Sequence, residues 1–347
     1  MREINVLLTP GGGPGILAQV ASLVQSKRYR ARIVLADSNA ASGNLFDSRV
    51  AKAYLIPSCD SKDYFPALIR VINKENISIL YSGLDEEIPL LAQKQSELLA
   101  VGCNILLPGV EALETALDKI RTFECLVGAV HMPRTWNMDD SFDSEEVWNS
   151  VNGNIVLKIS SSRGGRHVYM PEDKEEYDFF VRRIFRLVKG GASFLAQERI
   201  IGSEYNVSTF HDKQSQLIYA ISRRKFENRK NKSTTVAAVV EKNDAVIQEA
   251  LSAIRHLKLD LGFNNVELIL SDEQRMPYLI EVNGGRTAAQ DMNIVSSGIS
   301  ITDLLIDTAL GKSVRPIPHP KNGVAILKIR KDVIINYGDI ENKITKA

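Results

Sequence analysis

The chain has 347 residues, about two domains at ~150 residues each, long enough to bury a core without disulfide or metal staples. Its 43 basic and 42 acidic side chains leave a net charge of +1, which argues against a general nucleic-acid or anionic-membrane binder. With 44% hydrophobic and 24% charged residues, wholesale disorder is excluded, and Cys59, Cys103 and Cys125, far apart and in no CxxC, support neither a disulfide framework nor a zinc knuckle.

The apolar start Ile4–Leu8 runs straight into glycines, too short for a signal segment, and no later run reaches the length of a membrane span. The expectation is a soluble, cytoplasmic chain. Five short apolar runs follow in the first third: Ile4–Leu8, Ala31–Ala36, Ala53–Ile56, Ile77–Tyr81 and Asn104–Leu107. Each is bounded by Gly, Pro, Ser or Asp, as buried parallel strands are. Between them a helix is predicted over Ser61–Glu75, with Phe65, Leu68, Ile69 and Ile72 on one stripe, and another over Asp85–Ala100. This alternation predicts a doubly wound α/β domain over residues 1–113, with ligands beyond the C-terminal strand ends.

Three features of that domain bear on ligands. Gly11-Gly12-Gly13-Pro14-Gly15 follows the first strand and opens a helix, so the N–H groups of Gly12 and Gly13 are candidates to hold an anionic substrate group. A dinucleotide site would want GxGxxG and an acid after the second strand. Asp37 is in place, but the final glycine is absent and Pro14 removes a donor. Asp85, Glu86 and Glu87 follow a strand end, where one could grip a substrate amine; acids decorating a helix N-terminus are the alternative.

After about residue 115 the pattern changes. A helix is predicted over Val110–Gly128, then a hydrophilic stretch Asn137–Glu146, a strand Asn154–Ser160, a Ser/Gly/Arg loop, a strand Arg166–Met170 and a helix Glu172–Lys189. From Ser193 strands dominate: Phe194–Gln197, Glu204–His211, Leu217–Arg223 and Thr234–Val240, then one helix striped by Ile247, Ala250, Leu251, Ile254 and Leu257. The units expected are an α+β fold in two parts, 114–190 and 191–315, and a C-terminal strand and fraying tail over 316–347.

The strand pair Phe263–Leu270 and Met276–Asn283 carries the most information. A hairpin centred on Gln274 places Glu267 opposite Glu281, Cβ atoms ~5 Å apart, with Asn283 next on the same face. Alternation puts Val266, Leu268, Leu270, Tyr278, Ile280 and Val282 on the core side. Like charges so placed repel unless a cation lies between them, and Mg²⁺ is commonly held by carboxylates together with substrate phosphates. A solvated face with two incidental glutamates is the alternative.

Ile155-Val156-Leu157-Lys158-Ile159 is an apolar strand interrupted by one cation, and a buried ammonium is costly unless it meets an anion. The loop Ser160-Ser161-Ser162-Arg163-Gly164-Gly165-Arg166 follows directly, and its N–H groups, those of Ser162, Gly164 and Gly165 among them, suit phosphates. It is not a Walker A loop, because the lysine precedes it. A surface lysine beside a flexible turn is the alternative.

Taken in order, Asp118-Lys119, Val156-Leu157-Lys158 with its loop, Gln197-Glu198-Arg199-Ile200-Ile201-Gly202-Ser203-Glu204-Tyr205, Asn265-Val266-Glu267 and Glu281-Val282-Asn283 resemble the ATP-grasp superfamily. The branch is the one of the carbamoyl-phosphate synthetase large chain and biotin carboxylase, and the resemblance covers about residues 1–311. It implies that Lys119 and Lys158 contact ATP phosphates, with Lys158 also near the adenine. Gln197, Glu198 and the backbone around Ile201 would border the adenine, and Glu204 would accept from the ribose hydroxyls. Glu267, Glu281 and Asn283 would hold magnesium, with manganese as the alternative ion. Where the family commonly reads Glu-x-Asn-x-Arg, this chain has Glu281-Val282-Asn283-Gly284-Gly285-Arg286, one residue longer.

The activity implied is phosphoryl transfer from ATP to a small-molecule carboxylate, then displacement of phosphate by an amine, with amino acids as candidate substrates. Lys158 and Arg286 are the catalytic candidates, Arg286 as stabiliser of the tetrahedral oxyanion. Bicarbonate chemistry, ligation to a carrier-protein thiol and a non-catalytic nucleotide-binding module are the alternatives. The cluster from Arg223 to Lys232 reads as a solvated loop, a substrate clamp through Arg223, or a docking patch for an acidic carrier protein. A homo-oligomer is compatible with the sequence.

Overall fold

The computed structural model describes every residue except 140, 161–166, 189–190, 192, 229–234, 329–332, 337 and 339–342. The chain opens with β1 (Arg2–Thr9), α1 (Ile16–Gln25), β2 (Tyr29–Asp37), β3 (Lys52–Leu55), α2 (Tyr64–Glu75) and β4 (Ile79–Ser82). The strands pair in parallel, as predicted. The stretches Val6–Leu8 and Ile33–Ala36 are apolar because both faces are covered there. Leu7, Val34 and Leu80 pack with Leu68 and Ile72 of α2, whereas Leu8, Ile33 and Leu35 pack with Ile16 and Val20 of α1.

Asn104–Leu107 is not the predicted fifth strand. A single bridge joins Asn104 to Ile79. Leu106 and Leu107 instead enter different cores. The helix predicted over Asp85–Ala100 is two short ones, α3 (Ile88–Gln93) and α4 (Gln95–Ala100). It starts late because Glu87 is buried, accepting from Thr9 Oγ1 at 2.5 Å and Ser82 Oγ at 2.7 Å. The predicted helix Val110–Gly128 likewise divides into α5 (Val110–Leu117) and α6 (Lys119–Leu126). Asp118, extended between them, caps α6 by accepting from the N–H groups of Ile120 and Arg121 at 2.9 and 3.1 Å.

A small antiparallel unit follows, made of β5 (Thr135–Asn137), α7 (Ser144–Ser150), β6 (Ile155–Ile159), β7 (Val168–Tyr169), α8 (Lys174–Val188) and β8 (Phe194–Glu198), with sheet order β5-β8-β6-β7. It has its own core, in which Ile155 and Leu157 meet Tyr177 and Ile184 of α8. The third sheet is built from β9 (Gly202–His211), β10 (Leu217–Asn228), β11 (Thr235–Val240), β12 (Gly262–Ser271) and β13 (Pro277–Gly284), backed by α9 (Asp244–His256).

The chain then forms α10 (Met292–Ser296) and α11 (Ile301–Ala309), which the sequence reading did not anticipate and which pack on α1. Every residue of α11 is buried, its Asp303 and Asp307 accepting from Ser26 and Tyr29. The last strands lie on different sheets. β14 (Ala325–Leu327) pairs with β11, giving the order β13-β12-β9-β10-β11-β14. β15 (Ile344–Lys346) pairs in parallel with β3, so the predicted fraying tail is instead the edge of the N-terminal sheet.

Candidate active site

The hairpin of β12 and β13 pairs Glu267 with Glu281 and Asn265 with Asn283, the register that symmetry about Gln274 predicts. Past Glu267 the register slips by one residue, so that Leu268 faces Leu279 and Ile280 is extra. This bulge corrects the predicted core face. Leu279 is fully buried, while Tyr278 and Ile280 are half-buried and Ile280 lines a cleft beside Glu281.

Lysines oppose both glutamates. Lys225 Nζ lies 2.8 Å from Glu267 Oε2 and 3.4 Å from Glu204 Oε2, and Lys119 Nζ lies 3.1 Å from Glu281 Oε1. Lys119 is placed by its neighbour. Asp118, besides capping α6, accepts from Ser160 Oγ at 2.6 Å, and the Lys119 N–H donates to the Ser160 carbonyl at 3.2 Å. The start of α6 is thereby tied to the end of β6. Burial opposes the charge of Lys225, but Glu267 and Glu204 outweigh it and hold the ammonium above the usual lysine range.

Lys158 projects from β6 and is 8% exposed, its Nζ donating to Gln197 Oε1 at 2.7 Å. Burial, and then the positive charge of Lys119, push its pKa down to about 8 against the pull of Glu281, Glu267 and Glu204. The ammonium is therefore short of negative charge, which is the electrostatic condition of an anion site.

These groups meet in one cleft of about 340 Å³ between the two antiparallel sheets. Lys119, Lys158, Gln197, Glu198, Ile201, Glu204, Glu267 and Glu281 all line it, with Val156, Val168, Met170, Leu268 and Ile280 as apolar walls. At its rim Gly202 is required, because a Cβ there would stand 2.0 Å from the Leu270 carbonyl oxygen. The Glu198 carboxylate is turned to Arg134, 3.1 Å away, and its N–H donates to the Arg134 carbonyl at 2.8 Å. Ser162, Gly164 and Gly165 lie outside the described residues.

Lys225 was missed as a site residue. The signal was present: alternation along a strand separates Arg223 and Lys225 from Arg224. Arg223–Lys225 is strand and not a solvated loop, and Arg229, Lys230 and Lys232 lie outside the described residues. Arg223 is sealed in, with Nη1 2.5 Å from Asp291 Oδ1 and Nη2 bonded to Asn206 and Ser208, so it presents nothing to a substrate.

Other substrate candidates are engaged as well. The Gly11, Gly12 and Gly13 N–H groups donate to the Ala36 carbonyl, Asp37 Oδ2 and the Pro10 carbonyl at 2.8, 2.6 and 2.9 Å, so the glycine turn offers no open anion nest. Asp37 serves that turn and also accepts from the Asn39 N–H. Asp85 does not decorate a helix. It pairs with Arg286, whose Nη2 also donates to Asn283 Oδ1 at 2.7 Å. Glu86 is exposed.

Glu267, Glu281 and Asn283 form a set of hard oxygen donors suited to a divalent cation. Among the described residues no three His, Cys, Asp or Glu side chains converge, so a cation here would need further oxygens from a ligand. That fits an ion that arrives with phosphates.

Residues 116–289 match the ATP-grasp domain family, and residues 7–106 match the PylC-like N-terminal domain. The chain is 22% identical to the carbamoyl phosphate synthase large chain of Micrococcus luteus over 91% of its own length, and spans 30% of that relative. Its fold resembles an L-amino acid ligase from Bacillus licheniformis (TM-score 0.65, 16% identity, 89% of this chain and 74% of that one). It also resembles biotin carboxylase from Campylobacter jejuni (TM-score 0.68, 16% identity, 89% and 71%).

Proposed function

We propose, on the premise that the chain belongs to the ATP-grasp family, that it is an ADP-forming ligase joining a small-molecule carboxylate to an amine through an acyl phosphate. The observation that carries this reading is the single cleft in which Lys119, Lys158 and Lys225 confront Glu204, Glu267 and Glu281. The adenine would lie among Val156, Val168, Met170, Leu268 and Ile280, against the backbone from Glu198 to Ile201. Glu204 would take the ribose hydroxyls, and Lys119, Lys158 and Lys225 the phosphates.

Glu267 and Glu281, with the amide oxygen of Asn283, would hold Mg²⁺ or Mn²⁺. When bound, such an ion supplies charge neutralisation for the phosphoryl group in transit. The chain's own residues do the rest. Lys158, in a nearly dry setting, binds phosphate charge more strongly than an exposed lysine would. Lys119 and Lys225 hold the phosphates in line with the attacking carboxylate, which is positioning rather than covalent help. Arg286, bonded to Asn283 two residues past Glu281, meets the negative charge that grows on the acyl carbon's oxygen.

The likeness to an L-amino acid ligase supports amino acids as substrates. The test is a phosphate-release screen of paired amino and carboxylic acids with Mg-ATP. ADP and phosphate should form only when an acid and an amine are both present; release of AMP would reject the acyl-phosphate route. A second reading, with bicarbonate as the acid, is favoured by the carbamoyl phosphate synthase relative. Bicarbonate-dependent ADP formation without another acid would select it. A carrier-protein thiol as acceptor loses support, since in the described part of the basic cluster Arg223 and Lys225 are buried and Arg224 is paired with Glu241.

A further inference from the structure

Arg286 follows two glycines at the end of β13, with Gly285 at φ 78°, so its own strand does not fix it. The N-terminal sheet does. Asp85 lies just beyond the C-terminal end of β4 and is 5% exposed. Its Oδ1 accepts from Arg286 Nε at 2.5 Å and its Oδ2 from Nη2 at 2.9 Å. Two parallel bonds of this kind set the plane of a guanidinium as well as its place. Asn283 Oδ1 adds a third bond to Nη2, at 2.7 Å. Among the described residues Nη1 has a longer contact, 3.4 Å to the Thr287 carbonyl.

The next residue is held from the same strand. The Thr287 N–H donates to Tyr81 Oη at 3.1 Å, and Thr287 Oγ1 lies 2.7 Å from that oxygen and accepts from Gln19 Nε2 at 2.9 Å. Both Arg286 and its neighbour are thus anchored on the N-terminal domain. Burial works against the charge on Arg286, but Asp85 outweighs it and keeps the guanidinium firmly protonated.

We propose that Asp85 is a positioning residue for Arg286, gripping its Nε–Nη2 edge so that Nη1 is the nitrogen presented to the reacting carboxylate. The proposal deepens the ligase reading and rests on it. Asp85 touches no reacting atom, so its whole effect passes through Arg286. The N-terminal domain, by this account, sets the geometry of the acceptor half of the site, while the cleft between the antiparallel sheets sets that of ATP.

The test compares wild type, D85N, D85E, R286K and D85N/R286K, using an acid–amine pair found by the phosphate-release screen. D85N should lower kcat by about 100-fold, the cost of a group displaced by about 1 Å, while the KM and Kd for Mg-ATP stay within about twofold. D85E, which keeps the charge, should recover part of that loss. In the R286K background D85N should cost no more than about twofold further. Unchanged kcat in D85N, or an equal loss in both backgrounds, would overturn the proposal.

A readout independent of turnover is labelling of Arg286 by phenylglyoxal, followed by peptide mass spectrometry. It should run several-fold faster in D85N and stay slow in D85E; equal rates in all three proteins would also overturn it. If the wild type turned over no acid–amine pair, the ligase reading would fail while the labelling rates still decided whether Asp85 holds Arg286. Should D85N not fold, D85S, which also removes the charge, carries the same comparison.

Discussion

An ammonium with a pKa of about 8 changes charge inside the range a binding assay covers, which makes Lys158 testable by pH alone. Its folded value lies below the ordinary lysine value of 10.5, so between the two the unfolded chain binds more protons. The charged form therefore costs stability at every pH below about 8, and that cost fades as pH rises toward 10.5. Binding runs the other way, because a triphosphate wants the proton present. The dissociation constant of Mg-ATP should be flat below pH 8 and rise above it, by up to about tenfold per unit. Lys158→Met should weaken binding at neutral pH, remove that rise, and leave the melting temperature equal or higher, since a buried charge is gone. A wild-type profile without a break near pH 8 would show that Lys158 does not face the phosphates. Lys158 was legible because one cation in an apolar strand has few explanations. Lys225 was not, because it stood among other basic residues and only the strand's alternation separates them.

At the level of elements, the site depends on how the chain leaves β8 of the small sheet and enters β9 of the large one. Gly202 makes that passage against the Leu270 carbonyl, where no side chain fits and backbone, not a flexible tip, is the obstacle. Gly202→Ala should cost about 3 kcal/mol, toward the upper end of overpacking effects, and should weaken Mg-ATP binding because Ile201 and Glu204 flank the shifted residue. Calorimetric melting with and without Mg-ATP separates the two effects. A variant with wild-type melting and affinity would mean that the strands are not locked there. The facing glutamates of the hairpin were readable from residue numbers, since pairing across a turn has only one free parameter. The bulge was not, because an extra residue in a strand leaves no mark in the alternation until the partner strand is known. It matters here: the slip at Ile280 adds an apolar wall to the cleft without moving Glu281 away from Glu267. α11 escaped for a different reason: its nine residues give little more than two turns of pattern, and Asp303 and Asp307 read as solvent-facing although both are buried.

At the scale of the whole molecule, the N-terminal sheet and the large antiparallel sheet share their cores, whereas the small sheet has one of its own. Phe210, Tyr219 and Phe263 of the large sheet pack with Leu8 and Tyr81 of the parallel one. Around them polar ties run from α1 and β2 to α11: Ser22 Oγ to Thr302 Oγ1 at 2.8 Å, Ser26 Oγ to Asp303 Oδ1 at 2.6 Å and Tyr29 Oη to Asp307 Oδ1 at 2.5 Å. β15 closes the loop by adding the last residues to the first sheet. Sequence patterns locate such units one after another along the chain, but they carry no sign that two of them share an interior, because a strand buried against its own domain and one buried against the next look alike. A chain cut between Pro108 and Gly109, just before α5, should therefore not yield two folded halves. Residues 109–347 alone would expose the faces of α10, α11 and the large sheet that α1 and β4 cover, and residues 1–108 alone would lose an edge strand and the cover of α1. The expected outcome is that each piece, made separately, lacks a cooperative thermal transition and that the two recover one only when refolded together. A cooperative melt of 109–347 by itself, with Mg-ATP raising its midpoint, would instead mean that the shared core is dispensable and that the N-terminal sheet is a separable module.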